Sequence, residues 1–343
     1  MKVLYCDIVL DGHHKSYLKT LSDHQEKCIT VIPQKEEGIR NQMIVHYKDY
    51  YTYTRRLLAL MADTKCDSIH FVYGDCFLRQ LFKQPKDFRA KIIIMTLHHI
   101  EMSFFRKKVY QYWFKRITVG IVHTAYMKDQ LNAIGIKNVV HIEYPKQSVV
   151  MTLSHSQIKK HLGLPDGVPI LGCLGGTRSD KGLDILLDVL SKIASPFHLV
   201  IAGKEEDITK DMITKKIVSY HDQVTLDLSF LSDDLFNQYL NAVDFIVLPY
   251  RKVFNGASGP LTEGVWLRKT IIGPNHHSLG DIIIKNQLGY TFEAENHKSL
   301  EHVLEKALTE KWLWHEKAEK YRDTLNVEHF IEEHHKLYET LGK

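Results

Sequence analysis

The chain has 343 residues, 44% of them hydrophobic and 25% charged, with a formal net charge of +4. At roughly 150 residues per domain this is about two globular domains, and the composition excludes wholesale disorder and collagen-like repeats. No apolar stretch approaches the roughly 20 residues of a membrane helix, Asp7 interrupts any secretory leader, and the five cysteines form no CxxC pair, so a reduced, cytoplasmic protein is expected.

Charge is uneven along the chain. Residues 1–155 carry 16 Lys and 7 Arg against 9 Asp and 5 Glu, a net of +9, while the remainder is acidic. An anionic surface facing the first half is one expectation; drift in surface composition is the other. No RNP motif, zinc finger or basic zipper is present, so no nucleic-acid partner is expected.

The first half repeats a strand-then-helix rhythm. Strands are expected at Val3–Leu10, Cys28–Ile32, Ser68–Val72, Ile92–Leu97, 118–123 and 138–142, with helices at 14–23, 54–62, 104–115 and 125–133. Residues 145–167, with Pro145, Gly163, Pro165 and Gly167, break the pattern. It restarts with strands at 168–174, 197–202, 223–228, 245–248, 270–273 and 289–292. Helices are expected at 181–193, 206–220, 232–241, 258–267, across 298–324 and at 327–341. Short apolar runs alternating with helices predict parallel sheets covered on both faces, that is, doubly wound α/β domains.

Ligands of such sheets bind beyond the carboxyl ends of the strands. Gly172-Cys-Leu-Gly175-Gly176-Thr177-Arg178-Ser179-Asp180-Lys181-Gly182 follows a strand and opens a helix. Gly175 and Gly176 admit close backbone approach, and Arg178 and Lys181 bring positive charge to a helix start, which suits a diphosphate. A glycine turn between two solvated bases is the plainer alternative. In the second segment, Leu248-Pro249 through Glu263-Gly264, a strand ends at Pro249 and a helix begins near Ser258, a plausible N-cap with Pro260 tolerated in the first turn. The amides of Ser258, Gly259 and Leu261 would face an anion, and Glu263 is placed for ribose hydroxyls.

Together with Leu199–Gly203 and Ala242–Pro249, these segments resemble the C-terminal donor domain of family-4 retaining glycosyltransferases of the GT-B fold. The match runs in order and spacing over about 165–310. The first half resembles the family more loosely, through Gly12 in the first loop, His98 after the fourth strand and Ile121-Val122-His123-Thr124. The resemblance implies two Rossmann-like domains facing a central cleft. Residues 1–155 would bind the acceptor, residues 156–325 the donor, and 326–343 would form a helix returning to the first domain. It also implies transfer of a hexose-type sugar from a UDP- or GDP-sugar to a glycan or lipid-linked acceptor, with no metal or other cofactor. Arg178 and Lys181 would neutralise the donor diphosphate, with His98 at the transferred sugar or acceptor. Gly12, Gly175, Gly176, Ser258, Gly259 and Glu263 would hold the donor. The family's first Glu of its Glu-x7-Glu motif is here Asn255, which puts sugar identity in question. A catalytically weak nucleotide-sugar-binding partner of another transferase is therefore the alternative reading.

Two further features are open at this level. Residues 104–116 interleave bases and aromatics on a helix, which suits either docking on an anionic membrane surface, at its inner face, or packing on the sheet. Tyr47, Tyr50, Tyr51 and Tyr53 could stack on a sugar or pack in a core. The many histidines show no metal-ligand spacing.

Overall fold

The apolar runs bounded by Gly and Pro assemble into two parallel six-stranded sheets in the computed structural model, which describes residues 1–7, 13–26, 28–31, 59, 66–78, 92–146 and 151–343. The first sheet comprises β1 (Val3–Cys6), β2 (Cys28–Val31), β3 (Ser68–Phe71), β4 (Ile92–Leu97), β5 (Val119–Val122) and β6 (Val139–His141), in the order β2-β1-β3-β4-β5-β6. Around it lie α1 (His13–Asp23), α2 (Gly74–Leu78), α3 (Phe104–Phe114) and α4 (Ala125–Ala133). The expected helix at 54–62 apart from residue 59, the end of the first expected strand and the tyrosine cluster at 47–53 lie outside the described residues.

The second half begins with α5 (His155–His161) and β7 (Ile170–Leu174). A 3-10 turn at Ser179–Lys181 follows, then α6 (Leu183–Leu190), β8 (His198–Ala202), α7 (Lys210–Lys216) and β9 (Val224–Asp227). Next come α8 (Asp233–Ala242), β10 (Phe245–Val247), α9 (Gly259–Trp266), β11 (Thr270–Pro274) and α10 (His277–Asn286). The chain closes with β12 (Gly289–Phe292), α11 (His297–Thr309), α12 (Glu316–Thr324) and α13 (Val327–Gly342). The second sheet runs β12-β11-β10-β7-β8-β9. Its strands are apolar on both faces, because helices cover both. Along β8, Leu199 and Ile201 enter one core layer while Val200 and Ala202 enter the other, the two-residue alternation of a pleated strand.

The chain divides into two units, Met1–Tyr144 with Val327–Lys343, and Pro145–Asn326. The division falls at Tyr144/Pro145 instead of the expected 155/156. The reason is that α5, expected as part of an irregular linker, packs on α8, and its Lys159 Nζ lies 3.5 Å from the Asp244 carboxylate. A capping box of Ser154 and Gln157 starts that helix. Within the first unit α13 is anchored by Tyr338, whose hydroxyl meets Tyr5 Oη at 3.2 Å and His70 Nδ1 at 2.8 Å.

Candidate functional site

The glycine turn after β7 is shaped by what leans on it. Gly175 has φ 104°, and its N–H donates to the Ala202 carbonyl at the end of β8. A Cβ on Gly175 would stand 2.9 Å from Lys181 Nζ and 3.8 Å from Cγ of Pro260. The ammonium of Lys181 and the first turn of α9 therefore meet over one backbone position. Burial, and then the neighbouring Arg178 charge, hold the Lys181 pKa below that of an ordinary lysine, against the pull of Cys173, Asp180 and Glu206. A desolvated ammonium of this kind gains strongly from an incoming anion.

Gly182 sets this geometry. It sits at φ 63°, and any side chain there would strike the Pro249 carbonyl. The loop after β10 can thus close directly onto the 179–182 turn. Arg251 fastens the two: its N–H donates to Asp180 O at 2.9 Å, its Nε to Ser179 O at 2.9 Å, and its Nη2 to the Asp184 carboxylate at 2.6 Å. Tyr250, buried, lies beneath, with Lys181 Nζ 6.0 Å from its ring centre and its hydroxyl 3.4 Å from Ser258 Oγ.

Ser258 caps α9, accepting the Leu261 N–H on its Oγ at 3.4 Å, while Thr262 N–H goes to its carbonyl. Of the three amides expected to face an anion, Leu261 is thus taken by the cap, which leaves those of Ser258 and Gly259 as candidates. Glu263 lies one turn further on and is 3% exposed. Asn255 is half-buried and accepts a hydrogen bond from Ser278 Oγ at 3.4 Å.

Arg178 is placed differently from Lys181. Its guanidinium forks onto Asp180, Nε to Oδ1 at 2.9 Å and Nη2 to Oδ2 at 2.8 Å. That pair raises the Arg178 pKa and offsets part of its charge before any ligand arrives. Behind Gly176 stands Glu206, whose Oε2 lies 2.5 Å from where a Cβ on that glycine would be. Thr177 organises this loop, donating from its N–H to Lys204 O and from its hydroxyl to Ile208 O, and accepting from Glu206 N–H. The sequence reading passed over Thr177, Asp180, Glu206, Tyr250 and Arg251.

In the first unit, His98 follows β4 and is 7% exposed. Its ring stacks on Tyr73 with centroids 4.0 Å apart, and its Nε2 lies 3.0 Å from Val72 O. The backbone amides of His98 and His99 both donate to the Asp75 carboxylate. Tyr17, His123 and Tyr144 crowd the same ring. Gly12 lies outside the described residues. The aromatic helix α3 divides its rings: Tyr110, Trp113 and Phe114 are buried, while Phe104 and Phe105 are 81% and 60% exposed. Among the described residues no three or more His, Cys, Asp or Glu side chains gather as a metal site, and no helix is long and apolar enough to cross a membrane.

Residues 154–324 match the family described as glycosyl transferases group 1. The chain belongs to that family. The segment contains every element just described around Lys181. An uncharacterized glycosyltransferase of Methanocaldococcus jannaschii, MJ1178, is 26% identical over 218 residues, which are 62% of this chain and 57% of that protein. Solved structures share the GT-B fold over nearly the whole chain. Sucrose-phosphate synthase of Thermosynechococcus elongatus has a TM-score of 0.77 at 15% identity, covering 99% of each chain. Anabaena HepE in complex with UDP and glucose has 0.76 at 13%, covering 99% of this chain and 100% of that one. WaaG, a glycosyltransferase involved in lipopolysaccharide biosynthesis, has 0.68 at 14%, covering 96% and 98%.

Proposed function

We propose that this chain transfers a hexose-type sugar from a UDP- or GDP-sugar to a hydroxyl of a glycan or lipid-linked acceptor, with retention of anomeric configuration. The observation that carries the reading is the meeting of Lys181, the Gly175-Gly176 turn and the start of α9 over one point. Departure of a nucleoside diphosphate develops negative charge on phosphate oxygens. In this reading the partly desolvated Lys181 ammonium, with the amides of Ser258 and Gly259 at the start of α9, stabilises that charge with little reorganisation. Single donors of this kind are worth about 3–4 kcal/mol of barrier. In this reading Lys181 is the principal cation and Arg178, shared with Asp180, the lesser one. Glu263 takes ribose hydroxyls and Asn255 contacts the sugar. The resident groups supply the positive charge, so the proposed donor chemistry draws on no metal. HepE, solved with UDP and glucose, supports a nucleotide-sugar donor on this fold.

The first unit is proposed to serve the acceptor, with His98 shaping its surface. For α3 we propose docking on an anionic membrane surface. Phe104 and Phe105 stand exposed at its N-terminal end, beside Lys107 and Lys108, a combination suited to inserting rings between anionic headgroups. The function is tested by incubating the protein with UDP- and GDP-sugars and following release of free sugar or glycoside by NMR of the anomeric proton. Release with the α-configuration of an α-donor preserved supports the reading. Binding of donors with no turnover on any acceptor would favour the non-catalytic partner role that Asn255 raises.

A further inference from the structure

The two cations of the anion pocket have acids standing beside them. Arg178 forks onto Asp180, Nε to Oδ1 at 2.9 Å and Nη2 to Oδ2 at 2.8 Å, with both side chains partly exposed. The turn that carries Asp180 is fastened by two residues outside it. Asp207 accepts the Ser179 N–H at 2.8 Å, Arg251 Nε donates to Ser179 O, and the Arg251 N–H donates to Asp180 O. Gly182 closes the turn at φ 63°. A carboxylate on so fixed a backbone loses little freedom when it pairs, and a bidentate pair is stronger than a single-point contact. Arg178 nevertheless lies close enough to Lys181 for its charge to lower that lysine's pKa. An anion held on Lys181 therefore falls within the field of a guanidinium already engaged by a carboxylate. A second acid, Glu206, packs against Gly176 and acts electrostatically on both cations, but no hydrogen bond or ion pair joins it to either.

We propose that Asp180 is a positioning residue that competes with the donor diphosphate for Arg178 and so limits how tightly the pocket grips it. This rests on the donor-site reading above. Lys181 holds the phosphates throughout, while Arg178 turns to them only as far as they outcompete the Asp180 carboxylate. The nucleoside diphosphate left after sugar transfer carries more negative charge than the sugar nucleotide did. An arginine wholly free to pair would clamp that product and slow its departure, a step that sets the turnover of many enzymes.

The test is calorimetry of UDP and GDP on the parent, Asp180→Asn, Asp180→Ser, Glu206→Gln, Arg178→Ala and the double variant Arg178→Ala/Asp180→Asn, with dissociation rates by stopped-flow displacement. Asp180→Asn and Asp180→Ser are both expected to tighten the bound nucleotide by about threefold to tenfold, chiefly through slower dissociation. Glu206→Gln removes a charge from the same neighbourhood without touching the fork and should tighten it less. With Arg178 already replaced by Ala, Asp180→Asn should gain no more than Glu206→Gln does. Unchanged or weaker binding in both Asp180 variants would overturn the proposal and leave Asp180 as a support for Arg178. An equal gain with and without Arg178 would overturn it too, as a general charge effect. Binding indifferent to Lys181→Ala would overturn the donor-site reading and this proposal with it, whereas Lys181-dependent binding with no gain in the Asp180 variants overturns the proposal alone.

Discussion

Lowering the pH from 7.5 to 5 should loosen the first unit through two buried histidines. His123 and His334 are each 1% exposed. Each uses Nδ1 on a backbone carbonyl, Ile142 O for His123 and Phe330 O for His334, both at 2.9 Å. Each Nε2 is buried without a hydrogen-bond partner. A proton can only be added at Nε2, where it would create a buried, unpaired cation. Burial accordingly drives the pKa of His123 down to about 3 and that of His334 down to about 4, from about 6.5 in the unfolded chain. Because folding lowers both values, the unfolded chain binds the extra protons. Stability is complete above about pH 6.5 and is lost as the pH falls toward the folded values. Linkage gives roughly 2 kcal/mol for each residue at pH 5, about 4 kcal/mol together, a large share of the roughly 5–15 kcal/mol of a typical domain. Hydrogen exchange of the β3–β5 amides, measured between pH 7.5 and 5 and corrected for intrinsic rates, reads the loss locally. Asn at both positions keeps a donor near Nδ1 but cannot take the proton, so the His123→Asn/His334→Asn protein should be less stable at pH 7.5 and much flatter with pH. Identical pH dependence in the parent and double variant would refute the reasoning.

Other consequences follow from single contacts. Gly182→Ala places a side chain at φ 63° against the Pro249 carbonyl. It should cost at least about 1–2 kcal/mol by urea denaturation and weaken nucleotide binding by displacing the Arg251-tied loop. Arg178→Ala should weaken UDP or GDP binding less than Lys181→Ala does, since Asp180 already shares its charge; calorimetry on both variants checks the order. Phe104→Ala/Phe105→Ala, or replacement of Lys107 and Lys108 by Gln, should reduce flotation with anionic liposomes without shifting the melting temperature, because these side chains are not part of the core.

Most strands were legible in the sequence because they are apolar on both faces and end at Gly or Pro; Ile92–Leu97 and 289–292 match their observed limits. The unread elements have local reasons. Helix α10, to which no element was assigned, carries a histidine pair, an internal Gly280 and an Ile282-Ile283-Ile284 run that blur a helical period, although Gly280 fits because it packs on the Asn275 backbone. Helix α5 hides among glycines and prolines. Within the site, Lys181, Ser258 and the glycines could be found from order and spacing. The roles of Asp180 and Arg251 could not, since they depend on contacts such as Arg251 to Asp184, 67 positions apart. Arg178 shows the limit most plainly, because its basic character is visible in the sequence while its fork onto Asp180 appears only in three dimensions.

The most direct test of the account titrates the protein and its Lys181→Ala variant with UDP and with GDP, at pH 7.5 and at rising pH. The account predicts saturable binding of one of them, loss of it by two orders of magnitude or more in the variant, and a decline as pH rises that begins lower than an ordinary lysine would allow. Equal affinity in the two proteins, or affinity indifferent to Lys181 at every pH, would contradict it.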